Sequence, residues 1–363
     1  FWNMPDRNDH APAMWFDGDK TIYHFTGMSF GSAYGPMAVV MRTSKDSGAT
    51  WSKARIILPD HTKGHMPVEA VFRLNDGPLA FTSDASPTLW FSKDQGYTWE
   101  SCGGAIAGDH PGVTQLDDGS LLAFTRDEKV DGKMPIIRSN DMGKTWDYKA
   151  SPFPPIHGGQ RLVLLKLQGG DLFLASFADN GIMITDASGE QRKVYGLFAA
   201  VSEDGGKSWP YKRLVTHDGP GRPVETMDGS LLTLSQRYSE PWGYLSVCQS
   251  QDGLIHLISS RQHYAFNLKW CKTPAPELRY EPVKVEHMVE TFTGPKEFDN
   301  KGWANRRGYK GGFNGAGQYT IDCYGRASGV NHIIGKGSFE ASFSFKNIEF
   351  KPPHERTRPG VYV

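Results

Sequence analysis

The chain has 363 residues, ample for one large fold plus a smaller module. Forty Lys and Arg balance forty Asp and Glu, so no basic stripe invites nucleic acid. No stretch is apolar and long enough to span a membrane as a helix, and the four cysteines lack metal-knuckle spacing, so no metal or other cofactor is expected.

Helix signals are almost absent. Glycine and proline are frequent, at 41 and 23 residues, and apolar runs are short and β-rich, which predicts an all-β chain. Five hairpins are predicted in order, each a strand, a tight turn and a strand ending in a small polar residue. They span 13–26 around Asp17-Gly18, 68–82 around Asp76-Gly77, 110–125 around Asp118-Gly119, 161–176 around Gly169-Gly170 and 222–235 around Asp228-Gly229.

A second phrase follows the first four hairpins. It reads Ser44-Lys-Asp46-Ser-Gly48-Ala-Thr50-Trp51, then Ser92-Lys-Asp94-Gln-Gly96-Tyr-Thr98-Trp99, Ser139-Asn-Asp141-Met-Gly143-Lys-Thr145-Trp146 and Ser202-Glu-Asp204-Gly-Gly206-Lys-Ser208-Trp209. A worn fifth copy is Ser250-Gln-Asp252-Gly253. Ser and Asp side chains bond nearby backbone N–H groups and close a turn. Gly supplies a positive φ without steric cost, and the Trp ring packs under the hairpin. The Asp residues lie 48, 47, 63 and 48 positions apart. That period, with two hairpins in each repeat, predicts propeller blades of about four strands.

The segment 244–260 fits two places. It reads as the inner hairpin of a sixth blade, with 263–270 as its third strand, or as the outer hairpin of blade five. Six blades are expected. Beyond Thr273 the texture changes: Pro274, Pro276 and Pro282 precede glycine-rich segments that alternate with strands. The expected division is a propeller over 1–272 and a β-rich appendage over 273–363, with part of a lectin-like sandwich as one reading of the appendage. Cys248 is expected as a buried thiol within a strand.

The phrase Ser-x-Asp-x-Gly-x-Thr-Trp resembles the Asp box, or bacterial neuraminidase repeat, of the sialidase superfamily. The resemblance covers roughly residues 1–272 and implies a six-bladed β-propeller, followed here by the small β-rich module. It implies a glycan partner carrying an acidic sugar and a secreted location. No signal peptide is visible in the sequence, which starts at Phe1 rather than Met, so a processed or trimmed chain is expected. In the family the Asp boxes lie away from the active site.

Blade geometry says where to look. Strand one begins, and strand two ends, on the face opposite the Asp-box turns. Eight positions before the first turn of a blade lie His110, Arg161 and Tyr244, with His10, His65 and Arg222 near the equivalent places. The ends of second strands offer Asp84, Arg126, Asp127, Asp179, Arg237, Glu240 and Arg261. Guanidinium groups match carboxylates with two parallel bonds, so this face suits an anion.

By resemblance Arg161 is one of the arginines that hold the sugar carboxylate; Arg222, Arg126 and Arg237 with His10 and His65, on the same face, are the other substrate-binding candidates. By the same resemblance Tyr244 would be the nucleophile, Glu240 or Glu225 its base, and Asp84 or Asp60 the general acid. The pattern departs from the family where an Arg-Ile-Pro is expected and Asp9-His10-Ala11-Pro12 stands. His10, His65, His110 and Tyr244 also suit a lyase acting on uronates, in which His or Tyr removes the proton beside a carboxylate. A glycan-binding propeller without catalysis is the third reading.

Overall fold

The computed structural model describes residues 7–278 except 31–35, 63–69, 85–86, 128, 220–221, 228 and 230, together with 303–306, 311–313, 319–321 and 329–332. The fold is an all-β propeller. Its first blade is β1 (Asn8–Phe16), β2 (Ile22–Ser29), β3 (Met37–Ser44) and β4 (Arg55–Thr62). The second is β5 (Val71–Arg73), β6 (Leu79–Thr82), β7 (Leu89–Ser92) and β8 (Glu100–Ser101). The third is β9 (Asp109–Gln115), β10 (Leu121–Arg126), β11 (Pro135–Ser139) and β12 (Asp147–Ala150).

A short strand, β13 (Gln160–Arg161), leads into the fourth blade: β14 (Val163–Lys166), β15 (Leu172–Thr185), β16 (Gln191–Ser202) and β17 (Tyr211–Leu214). The hairpin β18 (Arg222–Glu225) and β19 (Leu231–Leu234) forms a sheet of two strands. After β20 (Gly243–Tyr244) comes a sheet of three: β21 (Ser246–Gln249), β22 (Leu254–Ile258) and β23 (His263–Asn267). Helix α1 (Leu268–Lys272) follows, N-capped by the Asn267 side chain, which accepts from the Trp270 N–H.

Each blade is an antiparallel meander, so turns one–two and three–four share one end. The Asp boxes join strands three and four of the first four blades. In the box at Asp141, Oδ1 accepts from Ser139 Oγ at 2.8 Å and from the Thr145 N–H at 2.9 Å, while Oδ2 accepts the Thr145 hydroxyl at 2.7 Å. Met142 and Gly143 hold φ of 58° and 86°, and the Gly143 N–H donates to Ser139 Oγ. The Trp indole then lies against the glycine and reaches the core. Trp99 packs on Phe25 of the first blade and Phe81 of the second, with centroids 6.0 and 4.5 Å away. Trp209 packs on Phe124 of the third blade at 5.7 Å and on Phe153 at 5.4 Å.

The segment 244–260 contains an inner hairpin. Asp252 closes the turn between β21 and β22, β23 is the third strand, and β21 lies beside β14. Cys248 is exposed rather than buried: it alternates with Val247 along β21, and only Val247 packs on the core. The long β15–β16 hairpin extends past a bulge between Ala178 and Ile182. Beyond 278 the described backbone pairs β24 (Trp303–Arg306) with β27 (Gly329–His332), and β25 (Gly311–Phe313) with β26 (Tyr319–Ile321). No helix among the described residues is long and apolar enough to cross a membrane.

Candidate active site

The face opposite the Asp boxes gathers the ends of β6, β9 and β10 with the short strands β13 and β20. At the mouth of the third blade, Gly108 has φ 92°, and a Cβ there would sit 2.5 Å from the Arg126 carbonyl oxygen. The chain therefore enters β9 pressed against the end of β10, and Asp109 pairs with Arg126 across a bulge. That entry holds His110 at φ 50°, a left-handed conformation few non-glycine residues adopt. Its cost is on the order of 1–2 kcal/mol.

Asp84, just past the end of β6, secures this conformation. Its Oδ1 accepts the His110 backbone N–H at 2.8 Å, and its Oδ2 lies 3.0 Å from His110 Nδ1. Both residues are buried. A carboxylate on Nδ1 fixes the tautomer, turning Nε2 to the far side of the ring. The His110 ring meets Tyr244 edge-on, with centroids 5.1 Å apart.

Strands β13 and β20 run parallel, with Gln160 beside Gly243 and Arg161 beside Tyr244. The Tyr244 N–H donates to Ser260 Oγ, and the side chain stays 39% exposed, so the phenol presents itself to solvent. Arg126 Nη1 donates to its hydroxyl at 3.3 Å. The same guanidinium bonds Asp127 at 2.9 Å, Asp109 at 3.5 Å and the Gln160 carbonyl at 3.4 Å. Burial opposes the Arg126 charge, but the hydroxyl and the two carboxylates outweigh it, and its pKa is raised. Arg161 lies 5.4 Å over the Tyr244 ring, pinned by two bonds to the Leu245 carbonyl.

Asp84, His110, Tyr244, Arg126 and Arg161 thus form one cluster. Glu240 is fully buried and accepts the Tyr264 hydroxyl at 3.0 Å. Burial and this carboxylate push the Tyr264 pKa up strongly. Arg237 lies apart, on the segment paired with the β15–β16 extension, where its charge bears on Arg192. His65 and the side chains of His10 and Arg222 lie outside the described residues. Among the described residues, no group of three or more His, Cys, Asp or Glu is placed to hold a metal ion.

Two members escaped sequence reasoning. Gln160 Nε2 donates to Asp179 at 2.7 Å and to the Pro241 carbonyl at 3.1 Å. His157 Nε2 lies 3.2 Å from Asp179 Oδ2, with its side chain 62% exposed. Their only signal is position: Gln160 adjoins Arg161, and His157 opens the Gly158-Gly159 turn.

Residues 4–257 match the family described as BNR repeat-like domain. The chain belongs to the BNR repeat-like family. Among solved structures, this BNR-repeat propeller is similar to a Dyadobacter fermentans protein of unknown function, at 14% identity and a TM-score of 0.41, over 73% of this chain and 85% of that one. It is also similar to the NanB sialidase of Streptococcus pneumoniae, at 15% identity and a TM-score of 0.42, over 64% of this chain but 36% of that one. A third is MPT-4, a mannose phosphorylase from Leishmania mexicana, at 12% identity and a TM-score of 0.38, over 76% and 91% of the two chains. No curated protein matches the chain.

Proposed function

We propose that this BNR-repeat propeller is a secreted glycoside hydrolase of sialidase type, acting on a terminal acidic sugar. The observation that carries the reading is Tyr244, set between the Asp84–His110 pair and the guanidinium groups of Arg126 and Arg161. A neutral phenol attacks the anomeric carbon of an anionic sugar without charge repulsion. His110, backed by Asp84, takes the phenol proton and returns it when the sugar leaves. Arg161 supplies positive charge beside the substrate carboxylate, while Arg126, already engaged with several oxygens, holds the hydroxyl in place. Glu240, bonded to Tyr264, supports the floor of the site. Residues 273–363 form a β-rich appendage in this reading.

A second reading is β-elimination on a uronate. A histidine held by a buried carboxylate, next to a tyrosine, is also a base and acid suited to the carbon beside a carboxylate. One experiment separates the two: release of free sialic acid from a mixed sialoglycan, with ultraviolet absorbance of acidic polysaccharide digests read in parallel. Release supports the hydrolase. Absorbance without release transfers the cluster to a lyase, and silence in both overturns the proposal.

A further inference from the structure

We infer that His157, held by Asp179, is the group that protonates the leaving oxygen; this rests on the hydrolase reading above. The mouth holds two histidine–aspartate pairs with opposite exposure. His110 is buried behind Tyr244, whereas the His157 side chain is 62% exposed. A proton donor to a departing sugar chain must stand in the open part of the site, where that chain runs out to solvent.

The loop carrying His157 is built rather than loose. The His157 N–H donates to Gln160 Oε1 at 3.2 Å, and the Gln160 N–H donates back to the His157 carbonyl at 3.1 Å. Gln160 Nε2 then donates to Asp179 Oδ1, so one carboxylate fixes both the loop and the ring. With Nε2 directed at Asp179, Nδ1 is left to exchange a proton with substrate. The Gln160 carbonyl accepts from Arg126 Nη1, the nitrogen that also bonds the Tyr244 hydroxyl, so this pair is tied to the proposed nucleophile.

The step balances. Protonated His157 gives its proton to the glycosidic oxygen as the bond to the anomeric carbon breaks, the electron pair staying on that oxygen. Tyr244 Oη bonds to the carbon and its proton passes to His110. Neutral His157 then removes a proton from the attacking water as the tyrosyl–sugar bond breaks. His110 returns its proton to Tyr244 Oη, completing hydrolysis.

The test compares wild type and His157→Asn on a natural sialoglycan and on an aryl sialoside, whose phenolate departs without protonation. The expected result is a fall in kcat/KM of about 10²–10⁴ on the glycan, the usual range for one acid–base group, with a far smaller fall in the rate of aryl release. Equal losses on both substrates, or none on either, overturn the inference. Asp179→Asn is expected to show the same leaving-group dependence in weaker form. A wild type inactive on both substrates fails the hydrolase reading itself.

Discussion

Asp84 is joined to His110 twice, through its backbone N–H at 2.8 Å and its ring Nδ1 at 3.0 Å. One carboxylate therefore sets both the backbone conformation and the ring orientation. Asp84→Asn keeps an acceptor for the N–H but offers an amide where Nδ1 needs an acceptor. The expected outcome is a wild-type circular dichroism spectrum with kcat lowered about 10²–10⁴-fold, as when a histidine loses its orienting carboxylate.

The left-handed backbone at His110 makes a separate prediction. Asn tolerates positive φ and can donate to Asp84, whereas Val does neither. His110→Asn should unfold within about 1 kcal/mol of wild type, and His110→Val about 2–3 kcal/mol earlier, in urea titrations. Both should lose turnover.

Tyr244 is half-exposed, and its hydroxyl meets Arg126 at 3.3 Å. Tyr244→Phe should therefore leave the melting temperature nearly unchanged, since exposed substitutions of this kind shift stability by about 0.5 kcal/mol or less. Sialic acid release should be abolished. A variant that kept full activity would remove Tyr244 from the chemistry.

The Asp boxes predict an acid limb to stability. The carboxyls of Asp46, Asp94, Asp141 and Asp204 are each lowered from 3.8 to about 2. At Asp46 and Asp94 the Thr50 and Thr98 hydroxyls contribute most; at Asp141 it is the Thr145 N–H. At Asp204 burial pushes the other way and is outweighed by Ser208 and Ser202. A depressed carboxyl stabilises the fold above its unfolded value and loses that contribution as pH falls through its folded value. The melting temperature should drop between about pH 4 and pH 2, and a variant with Asn at all four positions should show a shallower drop.

Gly112 in β9 tests the contact between blades. A Cβ there would sit 2.7 Å from Leu162 Cδ1 and 3.1 Å from the Leu164 nitrogen. Gly112→Ala should destabilise by about 1–3 kcal/mol, the usual cost of overpacking, measured by denaturant midpoint.

The Asp boxes and Asp-Gly turns were legible because their bonds close within four residues of sequence. The mouth was legible in part. Counting eight residues back from a turn finds His110, Arg161 and Tyr244, because strand length carries the register from one end of a blade to the other. The partnerships were not. Tyr264 holding Glu240 depends on a neighbouring sheet, and His157 depends on β13 pairing with β20, which follows it by about eighty residues. Cys248 was misjudged because an apolar run does not say which of two alternating positions faces the core.

The docking of the box tryptophans bears on how the chain assembles during synthesis. Trp51 meets His24, Trp99 meets Phe25 and Phe81, and Trp209 meets Phe124 and Phe153, so each ring lands on residues earlier in the chain. These hairpins need no residue still inside the ribosome to seat their rings. The propeller can be laid down vectorially, from the N-terminus onward. The mouth cannot, because Tyr244 joins Arg161, His110 and Arg126 only after β20 emerges, so the chemistry forms only after the first four blades are in place.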